Sequence, residues 1–274
     1  MRKIQYQLVN VFTTEHLFSG NPLAVFPHAS DITAAEMAAL GQQMNLSEIT
    51  FVTPSDQADA AVRIFTPSYE MPFAGHPTLG TAFVIAQGRS HLTLQMKAGL
   101  IPVQVNGHQV TLTANPPSYR DGPERTELAS ALGISSHHII EQPLFVHCGT
   151  EQLIIQLDSA DSVSACQANS EQFMQVAINV DGRAGALVWA YDGETVIARY
   201  FWNQNGVSAE DFGTGSACAN LGGYLLAQHK PTPFSLIMEQ GHRIKRIARL
   251  QLDVDTTIQV SGKVSTIGQG EFWI

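Results

Sequence analysis

Cysteine is scarce in this 274-residue chain: Cys148, Cys166 and Cys218 stand far apart and odd in number, with no C-x-x-C pair among them. That argues against a zinc site and against a disulfide framework, and it suits reduced thiols in a cytoplasmic protein. Basic charge is also thin. Fifteen Lys and Arg face 24 Asp and Glu, a net charge of −9, and nucleic acid is an unexpected partner without a concentrated basic face. The short cluster Arg243, Lys245, Arg246 and Arg249 lies in a strand-like segment and reads as a solvated face. No apolar run reaches 18 residues and no apolar h-region follows Met1-Arg2-Lys3, so neither a membrane span nor a secretory signal is expected. The histidines His137, His138 and His147 lack metal-ligand spacing, and no metal is expected. Walker A, dinucleotide, Ser-His-Asp elbow and H-E-x-x-H signatures are missing as well.

What is present is a well-buried composition, 44% hydrophobic against 14% charged, which selects a globular chain over a disordered one. Short alternating or apolar runs dominate: 4–12, 49–53, 60–66, 91–96, 101–105 and 108–113, then 144–147, 152–157, 185–190, 195–202, 234–239, 246–252, 257–261 and 264–273. Asn106-Gly107 and Asp192-Gly193 join neighbouring runs as hairpin turns, hence antiparallel pairing. Helical spacing is confined to 33–43, with Thr33 and Glu36 as a capping box, to 124–132 and 169–178, and to 76–87 and 214–228. The last two are apolar or small on every face, which predicts helices wrapped by sheet. The stretch Asn115–Pro123 is the best boundary, giving domains over 1–115 and 124–263, the first completed by a C-terminal strand 264–274.

Those two helices open alike. Phe73-Ala74-Gly75-His76-Pro77-Thr78-Leu79-Gly80 and Asp211-Phe212-Gly213-Thr214-Gly215-Ser216-Ala217 lie 138 positions apart when Ala74 is set against Phe212 (212 − 74 = 138). Each follows an Arg-bearing run, Val62-Arg63-Ile64-Phe65 and Ala198-Arg199-Tyr200-Phe201. Strand, loop and glycine-rich helix start, occurring twice, imply two similar halves. Helix N-termini attract anions through free N–H groups, so a small acidic metabolite is the expected ligand.

Three pieces can carry chemistry. Glu48 stands at a helix-to-strand junction, either as surface punctuation or as a cleft carboxyl serving as acid and base. His76 follows Gly75, which allows close backbone approach, and precedes Pro77, which suits a first helical turn; the ring is either structural or turned to a cleft. Asp211 is either the N-cap of the second helix or part of an N–H nest with Gly213, Thr214, Gly215 and Ser216 that receives a carboxylate. Tyr69 and Phe212 are candidate cleft-lining aromatics or core residues.

Taken together, Gly20–Val25, Met44–Phe51, Arg63–Pro67, Phe73–Gly80 and Glu210–Ala217 resemble the PhzF family of phenazine-biosynthesis-like isomerases, in family order across the chain. The resemblance implies an α+β fold of diaminopimelate-epimerase type: two pseudo-symmetric domains, each a mostly antiparallel β-sheet or barrel wrapped around a central α-helix. It implies a cofactor-free isomerase of a small cyclic or amino-acid-like acid, often a homodimer, with a cleft between the domains. Glu48 would shuttle the proton, His76 and Asp211 would assist, and Gly75, Gly215 and Ser216 would hold the substrate. The alternative is a non-catalytic small-molecule binder on the same scaffold.

Racemases of the same superfold resemble the chain around the paired loops but carry a thiol before the loop glycine in each half. Here those positions are Ala74 and Phe212, and Cys218 lies well inside its helix without a first-half counterpart. Stereoinversion needs a base on each face of the carbon, so the single carboxylate Glu48 favours isomerisation on one face.

Overall fold

The computed structural model describes residues 1–204 and 206–274, which divide into two compact units, Met1–Thr113 with Ser261–Ile274, and Ala114–Val260. Among the described residues no helix is long and apolar enough to cross a membrane.

The first unit runs β1 (Lys3–Val11), β2 (Asn21–Phe26), α1 (Ala34–Met44), β3 (Ile49–Thr53), β4 (Ala60–Phe65), β5 (Glu70–Met71), α2 (Gly75–Ala86), β6 (His91–Met96), β7 (Gly99–Asn106) and β8 (Gln109–Thr113). The second runs β9 (Ser118–Asp121), α3 (Arg125–Leu132), β10 (Leu144–His147), β11 (Glu151–Gln156), α4 (Ala160–Ala165), α5 (Ser170–Val176), β12 (Gly185–Asp192), β13 (Thr195–Gln204), β14 (Val207–Asp211), α6 (Gly215–Ala227), β15 (Phe234–Gln240) and β16 (Ala248–Val254). A long last strand, β17 (Ile258–Trp273), begins in the second unit and finishes in the first.

In the first unit β1 pairs antiparallel with β2 and with β17, β2 is parallel to β3, β3 antiparallel to β4, β4 antiparallel to β5 and parallel to β6, and β6, β7 and β8 form a meander. Pairing of β8 with β17 closes the circuit into a barrel, which covers the edges that β1 and β8 would otherwise expose. Helix α2 fills it, buried from Gly75 through Ala82. Small residues make that fit possible: a Cβ at Gly80 would stand 2.5 Å from Leu23 Cδ2 and 2.9 Å from Val11 Cγ2.

The second unit repeats the pattern strand for strand. β10–β11 is antiparallel, β11–β12 parallel, β12–β13 and β13–β14 antiparallel, β13–β15 parallel and β15–β16 antiparallel. Helix α6 is buried without interruption from Ala217 to Leu225. The fold is therefore the duplicated α+β architecture, each unit built around one central helix. Even an ion pair is duplicated: Arg63 grips Glu70 across β4–β5 at 2.7 and 2.8 Å, and Arg199 grips Glu210 across β13–β14 at 3.1 and 2.8 Å. Each guanidinium also covers a ring two residues on, Phe65 and Phe201.

Several sequence expectations need correction. The repeat runs at 140 rather than 138: the strands end at Met71 and Asp211 (211 − 71 = 140) and the helices start at Gly75 and Gly215 (215 − 75 = 140). Gly215, not Gly213, corresponds to Gly75, and Thr214, not Phe212, to Ala74. The strands before the hairpins run at 136 (201 − 65 = 136), and the β13–β14 hairpin, where Phe201 pairs with Glu210 against Phe65 with Glu70 in β4–β5, is four residues longer, which gives 140; an offset of 138 sets Gly213 against Gly75 instead. The runs 257–261 and 264–273 are one strand. Arg243 and Lys245 sit in a turn before β16, and of the basic cluster Arg249 alone lies in that strand. Strand β2 went unread because Pro22 sits inside it, and the two-residue β5 is too short to show a period.

Candidate active site

In the first unit, the chain turns out of α1 at Asn45, left-handed at φ 50° with its N–H on Gly41 O, and enters β3 at Ile49. Glu48 is thereby set at the strand mouth. The extended residue before α2, Ala74, has no side chain able to cap, so His76 sits on a first helical turn whose N–H groups are not taken by a side chain. The two side chains meet: Glu48 Oε2 lies 3.7 Å from His76 Nε2, with the side chains 16% and 5% exposed. That distance is longer than a hydrogen bond.

Burial holds the His76 ring neutral, lowering its pKa from 6.5 to about 3 against an opposing hydrogen bond to the Pro22 backbone. Nε2 has no hydrogen-bond partner among the described residues and faces Glu48. Asn21 is fully buried beside this pair, its amide 3.5 Å from His76 Nδ1 and 3.4 Å from the Ser47 hydroxyl.

In the second unit, Asp211 ends β14 and is not the cap of α6; that position is Thr214, extended and without a side-chain cap bond. Asp211 accepts instead from the Phe212 N–H at 2.8 Å and from the Thr214 hydroxyl at 2.5 Å. Gln240, fully buried at the end of β15, braces the loop by donating to Asp211 O and Thr214 Oγ1 and accepting from Thr214 N. Ser216, on the first turn of α6, accepts from Gln152 Nε2 at 2.9 Å. Gly213 precedes the helix and Gly215 begins it. Arg246 stacks on Phe212, its guanidinium 5.4 Å from the ring centroid and partly desolvated. Tyr69 is 38% exposed.

The sequence reading did not assign roles to Asn21, Gln152, Asn220 and Gln240. Each is a polar side chain within or ending an apolar run, and each is buried. Buried polar groups are kept only with partners, so such interruptions are the available signal. The cysteines take no part: burial pushes the Cys148 and Cys166 thiols up to about 12 and raises Cys218 further.

Known proteins match this chain along its length. The family profile described as phenazine biosynthesis-like protein covers residues 9–271. An uncharacterised isomerase of Pasteurella multocida is 39% identical over 98% of this chain and 94% of its own. The trans-2,3-dihydro-3-hydroxyanthranilate isomerase of Pseudomonas chlororaphis is 35% identical over 97% and 98%. The crystal structure of a PhzF-family phenazine biosynthesis protein of Bacillus anthracis superposes with a TM-score of 0.89 at 25% identity, covering both chains completely. The chain belongs to the phenazine biosynthesis-like (PhzF) family of isomerases.

Proposed function

We propose that the chain is a cofactor-independent isomerase of a small ring acid, with Glu48 moving one proton between two substrate carbons in a cleft shared by the two units. The observation that carries this reading is the approach of Glu48 to a neutral His76 in a nearly water-free setting. With the His76 proton on Nδ1, Nε2 would offer the carboxylic acid form of Glu48 an acceptor, so that Glu48 could hold a proton between removal and return. An ordinary Glu, with a pKa near 4.3, is a poor acid at neutral pH, and closing over the ligand is the general route to a better one.

The step balances within the substrate. Glu48 takes a proton from one carbon, the electron pair moves through an adjoining double bond, and Glu48 returns the proton to the carbon at its far end. Asp211 assists by hydrogen bonding. Gly75, Gly213, Thr214, Gly215 and Ser216 hold the acid at helix starts whose N–H groups no side chain caps. The 35% identity to an enzyme named for trans-2,3-dihydro-3-hydroxyanthranilate makes carboxylated cyclohexadienes the first class to try. Association as a homodimer belongs to the same proposal, and sedimentation measures it.

Solvent isotope exchange tests the reading. Incubated in D2O with trans-2,3-dihydro-3-hydroxyanthranilate or its relatives, the wild type is expected to place deuterium on the carbon that receives the proton, and Glu48→Gln is not. Binding of these acids without consumption or exchange makes the chain a binder and ends the isomerase proposal.

A further inference from the structure

Ser216 lies against a buried hydrogen-bond chain whose direction can be read from its backbone end. Asn220, fully buried in α6, accepts from the Cys148 N–H at 2.8 Å through Oδ1. Its Nδ2 donates to Thr150 O at 2.9 Å. A backbone N–H only donates and a backbone carbonyl only accepts, so these two contacts fix which way the amide points. The second Nδ2 hydrogen goes to Gln152 Oε1 at 2.8 Å, and that contact fixes the next amide in turn.

Gln152, 4% exposed, must therefore present Nε2 at its far end. It donates there to the Tyr200 hydroxyl at 3.1 Å and to Ser216 Oγ at 2.9 Å. With Ser216 Oγ obliged to accept from inside, its own proton is directed elsewhere. The position of Tyr200 in this chain is itself tight, since a Cβ at Gly185 would stand 2.2 Å from its hydroxyl oxygen.

We infer that Asn220 and Gln152 are positioning residues that polarise Ser216, turning its hydroxyl into a dedicated donor for an anionic oxygen of the ligand. The inference rests on the reading of Ser216 as a substrate contact and deepens it, because it specifies what the Ser216 O–H meets: an acceptor such as a carboxylate oxygen. A serine free to rotate could turn that proton inward or outward; this one has been committed by a relay that starts at the Cys148 N–H, immediately before the Gly149-Thr150 turn. Hydrogen bonds to charged groups are the stronger class, so the commitment matters for affinity.

Two arms test it. Neutron diffraction from the deuterated, ligand-free protein is expected to show the Ser216 deuteron directed away from Gln152, with Gln152 Oε1 toward Asn220. A Ser216 hydroxyl deuteron pointing at Gln152, in place of a Gln152 Nε2 deuteron pointing at Ser216 Oγ, overturns the inference without touching the isomerase proposal. The second arm is calorimetry with 3-hydroxyanthranilate. Gln152→Glu is nearly isosteric and still accepts from Asn220, but where Gln152 donates to Tyr200 and Ser216 a carboxylate oxygen accepts, which draws the Ser216 proton inward; affinity should fall roughly tenfold to a hundredfold. In a Ser216→Ala background the same change should cost less than about twofold. An equal loss in both backgrounds means that charge alone acts, and the inference fails. Asn220→Asp offers an independent route, since it forces the Gln152 amide to turn over and should weaken the wild-type site but not the Ser216→Ala one. If the wild type binds no ring acid, the acid-binding reading falls, and the claim that the hydroxyl serves an anion falls with it, while the neutron map still decides the relay.

Discussion

The two units share strand order, a central helix and an arginine–glutamate clasp, yet they furnish their helix starts in opposite ways. The first places titratable groups there, Glu48 against a neutral His76. The second places a hydrogen-bonded network there: Asp211 tied to Thr214, Thr214 tied to Gln240, and Ser216 tied to Gln152. The repeated parts are the ones that set geometry, and the side chains at the two helix starts differ.

The largest expected effect separates these roles directly. Glu48→Gln should lower kcat by roughly a thousandfold or more while leaving ligand affinity within about tenfold, whereas Ser216→Ala should act mainly on KM. Steady-state kinetics on a turned-over ring acid reads both, and a kcat collapse in Ser216→Ala with normal KM breaks the division of labour.

Next is the clasp itself. Arg199 and Glu210 are both 9% exposed, and Arg199 also donates to the carbonyls of Val163, Ser164 and Cys166. Arg63 is 35% exposed, and Glu70 is shared with the exposed Lys97. Glu210→Gln leaves a buried cation unpaired and should cost about 3–5 kcal/mol in urea unfolding, against about 1 kcal/mol or less for Glu70→Gln. Equal losses would mean that the two clasps are not buried differently in solution.

The third prediction concerns pH. The unfolded His76 titrates near 6.5 and the folded one near 3, so between these values the unfolded chain binds the extra proton. Stability is then lost as pH falls below 6.5, approaching a slope of about 1.4 kcal/mol per pH unit from this residue. His76→Asn should flatten that segment of the stability curve. Glu70, lowered to about 2 chiefly by its Arg63 hydrogen bonds, adds stability that is present above about pH 4.5 and lost as pH falls toward 2. That loss persists in the variant, which separates the two.

The smallest effect lies in the crossovers between the parallel strands. Helix α1 starts on a reciprocal box, Thr33 Oγ1 receiving Glu36 N and Glu36 Oε2 receiving Thr33 N, whereas α4 starts on Ser159 without a glutamate to answer it. Thr33→Ala should cost about 1 kcal/mol, and Ser159→Ala less, by thermal melting.

Much of this was legible in the sequence, and the misses have physical causes. The alternating runs gave most strands to within two residues, since a buried face repeats with period two. The capping box at Thr33 and the turns at Asn106-Gly107 and Asp192-Gly193 were readable because each depends on local chemistry alone. The register of the repeat was misjudged because the glycine of one loop was matched to the glycine of another, while the insertion lay in a hairpin upstream. Glu48, His76 and Asp211 stood out as residues of reactive type. Gln152, Asn220 and Gln240 did not, because an amide shows its importance only when its neighbours in space are known, and these come from 26 to 72 positions away.

The long strand β17 has a consequence for how the molecule is made. Lys3 pairs with Trp273, and Val11 with Val264, so β1 finds its neighbour just beyond the far end of the second unit's sequence. At about 5–20 residues per second, the first unit waits roughly seven to thirty seconds with β1 and β8 lacking that partner while the second is synthesised. During that interval the first unit is an open sheet with two sticky margins. The second unit, contiguous in sequence, is free to fold first, and β1 is sealed only after β17 is made.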